Sequence, residues 1–104
     1  MLFGDFIKMK REYFGISLKE AAEYIDVSPS YLCDIEKNRK YAPLNKLKII
    51  MNLYEINNAE EIHLFYDMAG ESRKEVAPDI ANVLMRSKSM RNKVRNLIYK
   101  TERA

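Results

Sequence analysis

The chain has 104 residues, with 18 Lys and Arg against 15 Asp and Glu, a net charge of +3, 47% hydrophobic residues and 32% charged ones. That length fits one domain, or one small domain with a helical extension, and the apolar fraction with mixed charge argues against wholesale disorder. Three Gly and three Pro punctuate too rarely for a sandwich or barrel of short strands, no apolar run reaches the ~18 residues of a membrane helix, and GxGxxG, P-loop and GxSxG patterns are absent.

The first predicted helix covers roughly residues 2–14, where Phe3, Phe6, Ile7, Lys10 and Phe14 recur at helical spacing. Asp5, Lys8 and Lys10 interrupt what would otherwise be an apolar start, so no secretory signal is expected. Gly15 suits a left-handed cap and ends the helix. Ser17-Leu18-Lys19-Glu20 is a capping-box pattern that opens a second helix, with Ala21, Ala22 and Ile25 inward. At about eight residues it is too short to stand alone and needs packing. Asp26 turns the chain, Ser28 caps a third helix, and Pro29 takes its first position, where a missing N–H costs nothing. Leu32 and Ile35 face inward, and the helix ends near Glu36. Lys37-Asn38-Arg39-Lys40 is a basic loop.

Pro43 is expected to start the fourth helix, with Leu44, Leu47, Ile50, Met51 and Tyr54 inward. Residues 55–58 form the first plausible boundary, which divides the chain into 1–57 and a helical extension, 58–104. In the extension, residues 59–69 carry Ile62, Phe65, Tyr66 and Ala69 on one face, Gly70 is expected to end that helix, and 70–75 form a polar connector. Pro78 opens a helix with Ile80, Val83 and Leu84. Met90, Val94, Leu97 and Ile98 mark the last one. Charge is uneven here: residues 57–79 hold two basic and six acidic residues, whereas 80–104 hold seven basic residues and one acidic, Glu102.

The lone cysteine, Cys33, cannot form an internal disulfide and fits a reducing cytoplasm. One Cys and one His, Cys33 and His63, do not make a tetrahedral metal site. Neither a nucleophile–base pair nor a cofactor loop stands at recognisable spacing, so an enzyme is the least expected class, with no metal, cofactor or membrane partner. A pI near 9.0 permits a polyanionic partner.

Residues 15–40 are the informative unit. A short capped helix, a tight turn and a second short capped helix make a helix-turn-helix arrangement. Ala22 is small where two helices cross, and Val27, Leu32 and Ile35 wedge the second helix against the first. Its outer face carries Pro29, Ser30, Cys33, Asp34 and Lys37. An α-helix fits the major groove of B-DNA, with its N-terminal residues nearest the base edges.

The stretch from Phe3 to Ile56 resembles the Cro/phage-repressor (XRE-type) helix-turn-helix family. Arg11, Gly15, Ser17, Glu20, Ala22, Val27-Ser28, Tyr31-Leu32, Ile35-Glu36, Arg39, Pro43 and Leu47 carry the resemblance, and the string VSPSYLCDIEKNRK is similar to the family's recognition helix and following loop. It implies an all-α, Cro/repressor-like bundle of four to five short helices with a C-terminal extension. It further implies a double-stranded-DNA-binding transcriptional regulator of bacterial or phage type, usually a dimer on a palindromic operator. Ser28, Pro29, Ser30 and Asp34 take the base-reading positions. Lys19, Tyr31, Lys37, Asn38, Arg39 and Lys40 are the phosphate-contacting candidates. Arg11 and Glu36 fall where the family pairs an Arg of the first helix with a Glu ending the third.

Two positions depart from the family pattern. Leu18 stands where many members have Gln, so a phosphate-bridging hydrogen bond is lost there. Asn38 stands where Gly is frequent, and Asn tolerates positive φ. The base-facing positions hold no Arg or Gln, which points to modest specificity supplemented by groove shape and dimer spacing. The alternative is a protein–protein module, such as the antitoxin of a toxin–antitoxin pair, with residues 58–104 holding a protein partner.

Overall fold

The computed structural model describes the backbone of residues 1–103 and the side chains of residues 1–100. The described residues form helices joined by turns, with no strand. The order is α1 (Phe3–Tyr13), α2 (Leu18–Ile25), α3 (Pro29–Glu36), a single tight turn at Leu44–Lys46 running into α4 (Leu47–Leu53), α5 (Ala59–Arg73), α6 (Pro78–Arg86) and α7 (Lys88–Arg103).

The caps follow from the residue types. Ser17 Oγ accepts the Glu20 N–H at 3.1 Å, and Ser28 Oγ accepts the Tyr31 N–H at 3.1 Å. Glu20 does not close the box through the backbone; its carboxylate accepts the Ser17 hydroxyl instead. Asp26 takes the left-handed conformation that ends α2, at φ 65°. Helices this short are held by burial. Ile7, Ala21, Ala22, Ile25, Leu32 and Ile50 exclude solvent almost completely, and each large one contributes roughly 1.5–3 kcal/mol by leaving water.

Two boundaries differ from expectation. Pro43 does not start a helix: its φ of −59° and ψ of 139° are extended. The tight turn after it faces Leu44 outward, at 52% exposure. Proline fixes φ but not ψ, so it allows the polyproline conformation as readily as a helical start. Nor does Gly70 end α5, which continues to Arg73 and closes on Lys74 at φ 55°. Gly70 serves close packing. A Cβ there would sit 2.8 Å from Ala77 Cα and 2.9 Å from the Glu75 carbonyl oxygen, so the turn into α6 passes directly over the glycine.

Helix α5 belongs to the same core as α1–α4. Phe65 is fully buried, with Met68 and Ala69 beside it, and its ring meets Phe3 edge-on at 5.2 Å between centroids. Lys10 and Glu61 bridge α1 and α5 at 2.6 Å. The packing therefore does not part at residue 57. Helices α6 and α7 are different: α6 buries none of its residues, and Ile80, Val83, Met90, Val94 and Ile98 stay exposed. Arg91 ties the pair together by donating to the carbonyls of Leu84 and Met85 at the end of α6.

Candidate nucleic-acid interface

The orientation of α3 is set from beneath. Leu32 and Ile35 lie in the core, and the last residue, Glu36, is a buried carboxylate. It faces Arg11 of α1 in a forked pair: Arg11 Nε donates to Glu36 Oε2 at 2.7 Å and Nη2 donates to Oε1 at 3.1 Å. A third donor, Nη1, reaches the Ile16 carbonyl at 3.0 Å. The hydrogen bonds to Glu36 push the Arg11 pKa upward, against the opposing effect of burial. Arg11 thus stays charged while holding the end of α3 and the turn before α2. Two parallel bonds fix an angle as well as a distance.

Held this way, α3 turns Ser28, Pro29 and Ser30 to solvent. Ser28 is engaged as the cap, and its hydroxyl lies 3.3 Å from that of Ser30. Asp34 lies farther along, half-buried, and Cys33 is half-buried too. Lys19, on the first turn of α2, and Lys37, at the end of α3, are both exposed. Leu18 packs against the core.

The loop after α3 gathers the remaining candidates. Asn38 sits at φ 60°. Its side chain turns back: Oδ1 accepts the Gly4 N–H at 2.8 Å, and Nδ2 donates to Asp5 at 3.2 Å. This locks the loop to the start of α1. Arg39 and Lys40 are exposed, and both approach the Asp34 carboxylate, at 3.9 and 3.6 Å. Their backbone N–H groups donate to the Asp34 carbonyl at 2.8 and 3.4 Å. The Tyr31 hydroxyl donates to the Tyr41 carbonyl at 3.1 Å, and its ring lies 5.0 Å beneath the Lys40 ammonium. Asp34 and Tyr31 are thus engaged with the loop, Asp34 offsetting two of its cations.

The sequence-based list of candidates omits Gly4. A Cβ on Gly4 would stand 2.3 Å from the Ile35 carbonyl oxygen and 2.7 Å from that of Glu36, so α1 meets the end of α3 backbone to backbone. A glycine near the start of an otherwise good helix was the available signal. The list also omits Arg73, at the end of α5, whose guanidinium Nη1 donates to the Ala42 carbonyl at 3.3 Å.

No group of three or more His, Cys, Asp or Glu among the described residues is arranged to hold a metal ion, and no helix among them is long and apolar enough to cross a membrane.

Comparison with known proteins adds three findings. A helix-turn-helix family profile matches residues 7–57. A chain from a solved complex of SinR protein with SinI protein is similar over 98% of this chain and 97% of its own length, with 27% identity and a TM-score of 0.53. The 7-cyano-7-deazaguanine synthase of Methanococcus maripaludis is 29% identical over 58 residues. That stretch is 56% of this chain but spans only 25% of the synthase.

Proposed function

Residues 7–57 belong to the helix-turn-helix family, of the Cro/phage-repressor type, and from that premise we infer that the chain is a DNA-binding transcriptional regulator that presents α3 to the major groove. The observation that carries this is the exposed start of α3, braced from below by the Arg11–Glu36 fork and flanked by a basic loop. Ser28, Pro29 and Ser30 are the base-facing residues. Lys19, Lys37, Arg39 and Lys40 neutralise phosphates, which positions the protein without choosing sequence. Asp34 accepts from a cytosine amino group only once its cations turn to the backbone, so it tempers affinity as well as selecting sequence.

Salt titration and substitution test the inference. Duplex binding is expected to weaken with a log–log slope of roughly −0.9 per phosphate contacted. Arg39→Ala with Lys40→Ala is expected to weaken all duplexes alike, whereas Ser30→Ala or Asp34→Asn changes preference among them. Wild-type affinity for every duplex in both sets of variants would rule this surface out.

One short helix reads few base pairs, so the chain is proposed to act as a homodimer on a palindromic operator, with recognition helices about 34 Å or a multiple apart. The exposed apolar residues of α6 and α7 support this pair as the contact. A second small protein is the alternative occupant, as for an antitoxin with its toxin. It draws support from the similarity to a chain of a two-protein complex. Sedimentation at micromolar concentration distinguishes them: a dimer of the isolated chain favours self-association, and a monomer both alone and on DNA excludes it. A regulator of this kind works in the cytoplasm, where the single Cys33 stays reduced.

A further inference from the structure

We propose that Arg73, at the end of α5 and outside the matched helix-turn-helix residues, is a positioning residue that holds the phosphate-contacting loop in its binding shape. The proposal rests on the DNA-binding function inferred above.

The loop between α3 and α4 is pinned in two halves. Its first half is tied to α1 and α3, through the Asn38 side chain on Gly4 and through the Arg39 and Lys40 N–H groups on the Asp34 carbonyl. Its second half, Tyr41-Ala42-Pro43, is held by side chains. The Tyr31 hydroxyl donates to the Tyr41 carbonyl. The Ala42 carbonyl accepts from Arg73 Nη1 at 3.3 Å, and Ala42 itself is buried. The same guanidinium lies 5.2 Å from the centre of the Tyr41 ring, and its Nε faces Glu75 Oε2 at 3.4 Å.

A planar guanidinium can stack on a ring and donate in its own plane at the same time, whereas a lysine ammonium is a point charge that cannot hold both contacts in one pose. Arg73 therefore fixes two consecutive loop residues. Those residues follow Lys40 directly, and the Lys40 ammonium rests over Tyr31, which also holds Tyr41. Release of Arg73 loosens Tyr41 and Ala42, and Lys40 with Arg39 then spend less time in the geometry that meets the phosphate backbone.

The alternative is that Arg73 touches a phosphate itself. It lines the open basic cleft formed with Tyr31, Arg39, Lys40 and Tyr41, so the test separates the two roles. Duplex binding is measured at fixed salt for wild type, Arg73→Ala, Arg73→Lys, the Arg39→Ala/Lys40→Ala double variant and that double variant combined with Arg73→Ala. Hydrogen exchange is followed on each free protein.

Positioning predicts about a tenfold loss for Arg73→Ala, little rescue by Lys, and no further loss once Arg39 and Lys40 are already alanine. It also predicts faster exchange at the 39–42 amides with core amides in α1 and α4 unchanged. Rescue by Lys, or an additive loss in the triple variant, assigns a direct phosphate contact and overturns the proposal. Unchanged exchange at 39–42 overturns it without reference to DNA. Failure of the wild-type protein to bind any duplex sinks the DNA-binding function instead, which the wild-type arm reports separately.

Discussion

The first five helices and the last two carry the same kind of sequence pattern and reach opposite ends. Apolar residues at helical spacing in α1–α5 are extinguished against one another, with Ile7, Leu32, Ile50 and Phe65 at 0% exposure. Apolar residues at the same spacing in α6 and α7 remain in solvent, with Ile80 at 50% and Ile98 at 49%. Helical periodicity reports that a face is apolar; it does not report what covers it. Coverage comes from the number of neighbours, and α7 has chiefly α6. The first region is a finished core, and the second leaves an apolar surface exposed, as the proposed contact with a second copy requires.

The largest expected effect tests where the finished region ends. Phe65→Ala removes a fully buried ring from α5 that meets Phe3 edge-on, and a cost of about 3–5 kcal/mol follows in chemical denaturation. A cost below about 1 kcal/mol would detach α5 from the core and restore a boundary near residue 57. Next comes Glu36→Ala. It strands Arg11, whose side chain is only 15% exposed, and a loss of about 3 kcal/mol is expected. Changing both partners together, Arg11→Met with Glu36→Leu, should recover most of that loss, because a buried pair costs more to break than to replace.

How much of this was legible in the sequence depends on whether a local signal existed. Ser17, Asp26, Ser28 and Pro29 each announce a cap or turn through their own chemistry, and the described helices begin and end there. Gly70 gave the opposite lesson. Glycine fits a helix end and a close approach alike, and only the path of residues 75–77 over it decides which. Pro43 was ambiguous because its fixed φ serves both a helical start and an extended arm. Arg73 had no local signal at all, since its partners Tyr41 and Ala42 lie about thirty positions earlier and reach it only through tertiary packing. The exposure of α6 and α7 was hidden for a similar reason: their spacing matches that of a buried helix, and whether another helix covers them is not written in either segment.

A smaller effect at neutral pH tests how complete the core is. The Tyr54 hydroxyl is buried without a hydrogen-bond partner among the described residues. Burial, with the nearby Glu36 carboxylate as a lesser cause, raises its pKa to about 12, and Arg11 opposes the shift. The folded state thus favours the neutral phenol, while the unfolded chain ionises at about pH 10. The stabilisation is fully present below about pH 10 and is lost as pH rises toward 12, by about 2–3 kcal/mol in all. Tyr54→Phe should change stability by less than about 1 kcal/mol at pH 7. It should also flatten the alkaline decline relative to wild type. An equal decline in both proteins would place an ionisable group other than Tyr54 behind it.

The smallest expected effect is the sharpest test of the contrast between the two regions, because one side of it predicts nothing. Val94 and Ile98 lie one turn apart on α7, at 38% and 49% exposure. Val94→Thr with Ile98→Thr keeps the β-branched shape and a similar helix propensity while adding hydroxyls. Within a single chain those side chains cover no core, so the folding free energy of the dilute monomer should move by no more than about 0.5 kcal/mol. A comparable Ile50→Thr change puts an unmatched hydroxyl in the core and should cost several times as much. At higher concentration the expectation reverses if two copies share the α6–α7 surface. Wild type then gains stability with concentration by mass action, and the double variant does not. A dilute-state loss above about 1 kcal/mol would mean that this face is already covered within the monomer, and the difference between the two regions would disappear with it.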